Sequence, residues 1–150
     1  MLMLEKKAKR LGPVIEVRKA KFDEENNRLN AIRERKIKAV AAMREKQREY
    51  LNGVQRLNDE RGTSNRLMLE ALESGLDNVK AKWMSLYQSV VELEREERSQ
   101  FEIMSRAHRD LEAICALEQK YRIQAQKEYE RRDQKSLDEH SLRKFVRAQS

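Results

Sequence analysis

A seven-residue repeat of apolar residues runs through most of the chain, and no other feature restricts its fold as much. In the first half one series reads Ile15, Phe22, Leu29, Lys36, Met43, Tyr50, Leu57, and a second holds Ile32, Ala39, Lys46 and Gly53. In the second half the series are Leu69, Leu76, Trp83, Val90, Glu97, Met104, Leu111 and Leu72, Val79, Leu86, Leu93, Gln100, Ala107, Ile114, Tyr121. A repeat of seven sustained this long specifies helices wound into a left-handed coiled coil. Composition agrees: Ala, Leu, Glu, Lys and Arg make up more than half of the 150 residues, against one proline and four glycines. With 39% apolar and 5% aromatic residues there is too little apolar volume for a thick core. An all-β or α/β fold would need more turn residues.

Charge argues against disorder. The net +7 is a small difference between 33 bases and 26 acids, whereas disordered chains pair low hydrophobicity with a large net charge. Cys115 is the single cysteine, so no intramolecular disulfide forms, in keeping with a reducing compartment. The opening Met1-Leu2-Met3-Leu4-Glu5-Lys6-Lys7 is too short an apolar stretch for a signal peptide, and no window is apolar enough to span a membrane. These features predict a cytoplasmic, all-α protein.

Punctuation places the helices. Gly12-Pro13 suits a first helical turn and predicts a start of the long helix at about residue 14, with residues 1–13 either a short basic helical arm or a frayed end. Nothing but Gly53 then disturbs a helix until Asn58, which begins a cluster of turn and capping residues ending at Asn65. The expectation is helix 1 over about 14–58, a turn over about 59–65 and helix 2 over about 66–147. So short a connection makes them one antiparallel coiled-coil hairpin. Centring the turn on Arg61-Gly62 pairs residues whose numbers sum to 122. That sets Leu29 opposite Leu93, Ile32 opposite Val90, Met43 opposite Val79, Tyr50 opposite Leu72, Ala39 opposite Trp83 and Gly53 opposite Leu69. Cysteines at 29 and 93 should then crosslink. Residues 14–58 carry +5 and residues 59–108 carry −3, which favours their pairing. Lys36, Lys46, Glu97 and Gln100 interrupt the apolar seam and are expected to set register and keep it soluble, or to face a partner. Helix 1 from residue 14 reaches back only to about residue 108, which predicts a C-terminal helical overhang over 109–147 unless the first dozen residues cover part of it. Its apolar tip, Leu137, Leu142, Phe145 and Val146, suits a partner's surface.

Catalytic chemistry has no foothold in this pattern. A two-helix seam offers no sheltered pocket for convergent groups. His108 and His140 lack metal-ligand spacing to each other or to Cys115, which reads as a small packing residue beside Ile114. No glycine-rich phosphate loop exists, and acid-rich Glu92–Glu97 lacks the oxygen-ligand loop of a calcium site. We therefore expect no enzyme, no cofactor and no metal. The clusters Lys6, Lys7, Lys9, Arg10 and Arg33, Arg35, Lys36, Lys38 invite a nucleic-acid reading, but acids are interleaved and aromatics too few to stack bases. Polar seam residues also make a poor membrane-surface helix.

Taken together, the hairpin, its turn and its charged C-terminal arm resemble the FliJ/YscO family of type III secretion systems. The local match is Gly62-Thr63-Ser64-Asn65-Arg66 at the turn, preceded by Gln47-Arg48-Glu49-Tyr50, with Gln134 to Phe145 near the C-terminus. The likeness in length and helix layout covers nearly the whole chain. It implies a cytoplasmic stalk, peripheral to the inner-membrane secretion apparatus and similar in shape to the rotor stalk of rotary ATPases. Such a stalk inserts into a hexameric export ATPase and reaches the export gate, and some members bind secretion chaperones. By that analogy the terminal end enters the ring, where an acidic lining would accept Lys6, Lys7, Lys9, Arg10, Arg18, Lys19, Lys21, Arg143, Lys144 and Arg147. The tip carrying Gln47, Tyr50 and Arg66 would face the gate or a chaperone. This chain departs from flagellar members early in helix 2, where Glu73, Asp77 and Lys80 replace aromatic and apolar residues. That departure leans towards an injectisome variant. A monomer is expected for a stalk; the alternative is a generic coiled-coil scaffold or adaptor, dimerising through its overhang.

Overall fold

A computed structural model describes residues 2–63 and 65–149. They form two helices, α1 (Leu2–Glu60) and α2 (Arg66–Gln149), packed as an antiparallel all-α hairpin. No strand occurs among the described residues. The turn is closed by short-range bonds. Thr63 donates its backbone N–H to the Glu60 carbonyl at 3.1 Å, satisfying one orphan acceptor at the end of α1. Asn65 caps α2, its side-chain oxygen accepting from the Met68 N–H at 2.9 Å. Ser64, within the expected turn, lies outside the described residues.

The start of α1 corrects the sequence reading. The helix runs through Gly12-Pro13 from Leu2 rather than beginning at about residue 14. Proline lacks an N–H and crowds the carbonyl four residues back, so the Lys9 carbonyl loses its helical donor. Packing overrides that cost. Leu4, Leu11 and Ile15 are half-buried and Ala8 is buried, continuing the seam without interruption across Pro13.

Clustering divides the chain into two compact units, Met1–Glu24 with Ser105–Ser150, and Glu25–Met104. In the second unit the seam residues alternate in steps of three and four. On α1 they are Glu25, Leu29, Ile32, Lys36, Ala39, Met43, Lys46, Tyr50, Gly53 and Leu57; on α2 they run from Leu69 to Met104 with the same spacing. Leu29 is the most buried apolar side chain, 1% exposed. The repeat thus produces the stripe it predicts.

Register is a second correction. A Cβ on Gly53 would overlap the Leu76 Cδ2 and lie 3.4 Å from its Cγ, so Gly53 faces Leu76 and not Leu69. Tyr50 and Trp83 rings lie 5.7 Å apart. Lys36 Nζ meets Glu97 at 3.2 Å, and Arg33 reaches the same carboxylate at 3.9 Å. Paired numbers cluster near 129, one heptad from the expected 122, so the expected layers, Leu29 with Leu93 among them, do not form. Two physical facts explain the difference. A shift of seven keeps every seam residue in the seam, so the apolar pattern cannot choose between the registers. And Gly62 does not make the turn by a left-handed backbone, since no described glycine has positive φ; the connection spans residues 61–65 instead.

In the first unit, Arg18 meets Asp110 at 3.5 Å and Phe22 stacks on His108 at 5.1 Å. Ala8 and Ala125 are each 5% exposed and line one shallow cleft with Glu5, Lys9, Arg122, Gln126 and Tyr129. The α2 seam continues through Ile114, Glu118, Tyr121 and Ala125 to Glu128. The overhang is therefore shorter than the 109–147 expected: residues 129–149 are all exposed, because Leu2–Pro13 is helical and covers what precedes them. Cys115 also departs from expectation, being exposed on α2 rather than a packing residue.

Candidate interaction surfaces

Polar residues in the seam and bases outside it define what the molecule offers a partner. Gln100 is buried and donates its amide N–H to the Glu25 carboxylate at 2.6 Å and to the Glu25 backbone carbonyl at 3.0 Å. Arg28 adds a bond to the second Glu25 oxygen at 3.1 Å. The buried Glu25 carboxylate is thereby paired, as a buried charge must be. Lys46 donates to Glu49 on its own helix at 2.9 Å. That hydrogen bond, reinforced by the Glu49 charge, raises the Lys46 pKa above 10.5. The cation's pairing is thus complete at neutral pH and is lost only as pH climbs past the lysine range. Glu25, Lys36, Lys46, Glu97 and Gln100 are all satisfied within the chain, so a partner has little to gain from them.

Outside the seam, ion pairs join bases of α1 to acids of α2: Arg18 to Asp110, Arg33 and Lys36 to Glu97, and Arg35 to Glu96 at 3.5 Å. They follow the charge asymmetry of the two helices, although each largely exposed pair is worth only about 0.2–1 kcal/mol. The N-terminal turns of α1 expose Lys6, Lys7, Lys9, Arg10, Arg18, Lys19 and Lys21. Lys7 lies over the Tyr121 ring at 5.6 Å. Among the described residues no group of three or more His, Cys, Asp or Glu is placed to hold a metal. No described helix is long and apolar enough to cross a membrane. Among the described residues, the clefts around Ala8 and Ala125, Gly53 and Leu76, and Ile37 and Glu97 are shallow grooves along the helices.

Comparison with protein families identifies the chain. The model of the flagellar FliJ protein matches residues 7–150. The chain belongs to the FliJ family. No curated protein and no solved structure gives a significant match. Membership gives this FliJ-family chain a stalk role in flagellar or type III export, with partners in the export apparatus, in a family of structural proteins and not of known enzymes. Since the matching model is the flagellar one, the polar residues Glu73, Asp77 and Lys80 do not by themselves argue for an injectisome.

The FliJ hairpin distributes the expected site residues differently from a single basic end and a single tip. The seven α1 bases lie opposite α2 residues between about 108 and 124. Arg143, Lys144 and Arg147 are exposed on the overhang, and Arg143 is twelve residues beyond Arg131, about 18 Å along the helix. Met3, Leu4 and Arg131 border one groove, which marks where α1 begins against α2. The basic set thus forms two surfaces. At the other end only Arg66 sits at the turn, its side chain bonded to Glu70 at 3.3 Å. Tyr50 is ten residues before Glu60, about 15 Å along α1, and it packs in the seam against Trp83. Gln47 is half-buried a further turn away.

Sequence reading missed the apolar residues that the turn exposes. Leu67 is 78% exposed and Met68 stands beside it in the first turn of α2; Ile37 and Leu51 are likewise exposed on α1, and Met84 and Tyr87 on α2. The signal was present: Ile37, Leu51, Met84 and Tyr87 each follow a seam position by one residue and fall outside the repeat.

Proposed function

We propose that this chain is the cytoplasmic stalk of a type III protein export apparatus, acting as a monomer that inserts into the hexameric export ATPase and links it to the export gate. The observation carrying the proposal is the family match over residues 7–150, which covers both helices. The exposed bases of the α1 N-terminal turns, Lys6, Lys7, Arg10, Arg18, Lys19 and Lys21, supply contacts to an acidic ring lining. Arg143, Lys144 and Arg147 supply a second set on the overhang. Gate or secretion-chaperone contact falls to the turn, through Arg66 with Gln47 and Tyr50 behind it; exposed Leu67 and Met68 add the apolar area that a binding hot spot needs.

Pull-down with a secretion ATPase, followed by an ATP hydrolysis assay, tests the reading. The chain should bind and raise the hydrolysis rate. Reversing Lys6, Arg10, Lys19 and Lys21 to Glu should weaken binding at least about tenfold, given about 0.2–1 kcal/mol lost per charge contact and added repulsion. Binding should also fall with salt. Absence of binding and of any change in ATPase rate counts against the stalk. The alternative, a generic coiled-coil scaffold, requires dimers through the overhang; light scattering at the monomer mass of 17.9 kDa excludes it.

A further inference from the structure

The unit Glu25–Met104 contains a seam whose apolar repeat is compatible with two registers. In the observed one Gly53 receives Leu76; moved by a heptad it would receive Leu69, and Met43 would exchange Leu86 for Val79. Apolar layers do not discriminate, and the shifted register even sets Leu29 against Leu93 and Ile32 against Val90. The connection permits both. α1 now ends at Glu60, yet Asn58-Asp59 would stop it half a turn earlier, leaving a turn centred on Arg61-Gly62. A Cβ on Gly62 meets nothing within 4 Å, so the turn as observed is not crowded there.

What differs is the polar contacts, among them the Gln100 amide on the buried Glu25 at 2.6 and 3.0 Å, which a slide would break. In the observed register the half-buried Glu97 carboxylate lies 3.2 Å from Lys36 Nζ and 3.9 Å from Arg33 Nε, and Glu96 meets Arg35 at 3.5 Å. After a slide of seven residues, about 10 Å, Lys36 would face Leu86 and Arg33 would face Ser89. Glu97 would then share a layer with Glu25, a buried carboxylate. Two like charges in one seam layer disfavour that register, as polar seam residues do in coiled coils generally.

We propose that the helical pair over Glu25–Met104 is a two-register element, and that Glu97, through Arg33 and Lys36, acts with the Gln100–Glu25 contact to select the register observed. Neutralising Glu97, or drawing Arg33 and Lys36 away from it, releases a one-heptad slide of α1 against α2. Such a slide would give the pair two discrete settings, re-forming only the helix ends at the turn, which is the property a switching element requires.

Cysteine crosslinking in the full chain carrying Cys115→Ser, with oxidised glutathione, tests this. Met43→Cys is combined either with Leu86→Cys, which faces it now, or with Val79→Cys, which faces it after the slide. With Glu97 intact the 43–86 pair should close at least about tenfold faster than 43–79, equivalent to about 1.4 kcal/mol. Glu97→Lys places a cation beside Arg33 and Lys36, and opposite Glu25 in the shifted register, so the preference should reverse. Glu97→Leu removes both effects of Glu97 and leaves only Gln100 on Glu25, so the preference for 43–86 should fall at least about threefold. Circular dichroism establishes that each variant is helical. A 43–86 preference of wild-type size in the helical variants overturns the proposal. Should Glu97→Lys lose its helicity, Glu97→Leu decides alone: a preference reduced at least about threefold supports selection by Glu97, and an unchanged preference refutes it.

Discussion

Gly53 illustrates how one residue can be set by its neighbour across the seam. It sits inside α1, where glycine costs about 1 kcal/mol against alanine, and it persists because Leu76 occupies the space a methyl group would take. Gly75 sits inside α2 with nothing within 4 Å of its would-be Cβ. The two alanine substitutions should therefore differ in sign. Gly75→Ala should stabilise by about 0.5–1 kcal/mol through helix propensity alone. Gly53→Ala should destabilise by about 1 kcal/mol, overpacking of about 1–3 kcal/mol outweighing the same gain. Urea unfolding followed at 222 nm measures both. Both glycines are visible in the sequence as helix-interior exceptions; which one faces a leucine that leaves it no room depends on register.

For helix α1 the decisive tension lies between Pro13 and the seam. Local rules end or begin a helix at Gly12-Pro13, while burial of Ala8 and half-burial of Leu4, Leu11 and Ile15 hold the helix together on both sides of it. Replacing Pro13 by Ala should restore the Lys9 carbonyl's donor and stabilise the chain by up to about 3 kcal/mol. Amide exchange at residues 5–12 should slow in step with the gain. No slowing would mean that this turn is not limited by the proline. The overhang shows the opposite balance. Its residues 129–149 keep helical propensity but bury nothing, so the helix there depends on propensity and on local pairs such as Gln126 with Glu130 and Gln134 with Asp138.

Across the molecule, charge is allotted by helix. Residues 1–58 carry 16 bases and 8 acids, while residues 59–150 carry 17 and 18. The excess on α1 is partly spent on α2 acids in the ion pairs from Arg18 to Lys36, and the rest is exposed towards the N-terminus, where an acidic partner would meet it. On the proposed stalk function, stability and partner binding are therefore carried by different residues. Deleting residues 132–149 should change the unfolding free energy by less than about 1 kcal/mol, since exposed residues away from packing contribute little. The same deletion should weaken capture by the export ATPase severalfold if the overhang bases contact it. A large loss of stability would show that the overhang packs on the hairpin after all.

The sequence by itself determined the helical class, the two-helix layout, the heptad seam, the turn between about 59 and 65 and the family. Each is written in local chemistry: a period of seven, a cap at Asn65, a lack of breakers. It also determined that α1 bases would meet α2 acids, because their blocks of charge are long enough to survive a shift in pairing. Only tertiary structure decided the register, the true start of α1 and the reach of the overhang. A repeat of seven is blind to displacement by seven, so apolar periodicity leaves the layers undetermined, and the choice falls to a few polar contacts around Glu97 and Glu25. The same limit scattered the expected site residues. Tyr50 belongs to the seam with Trp83, and Arg143 lies far from Lys6, because distance along a helix is simple to count while the partner across the seam is not.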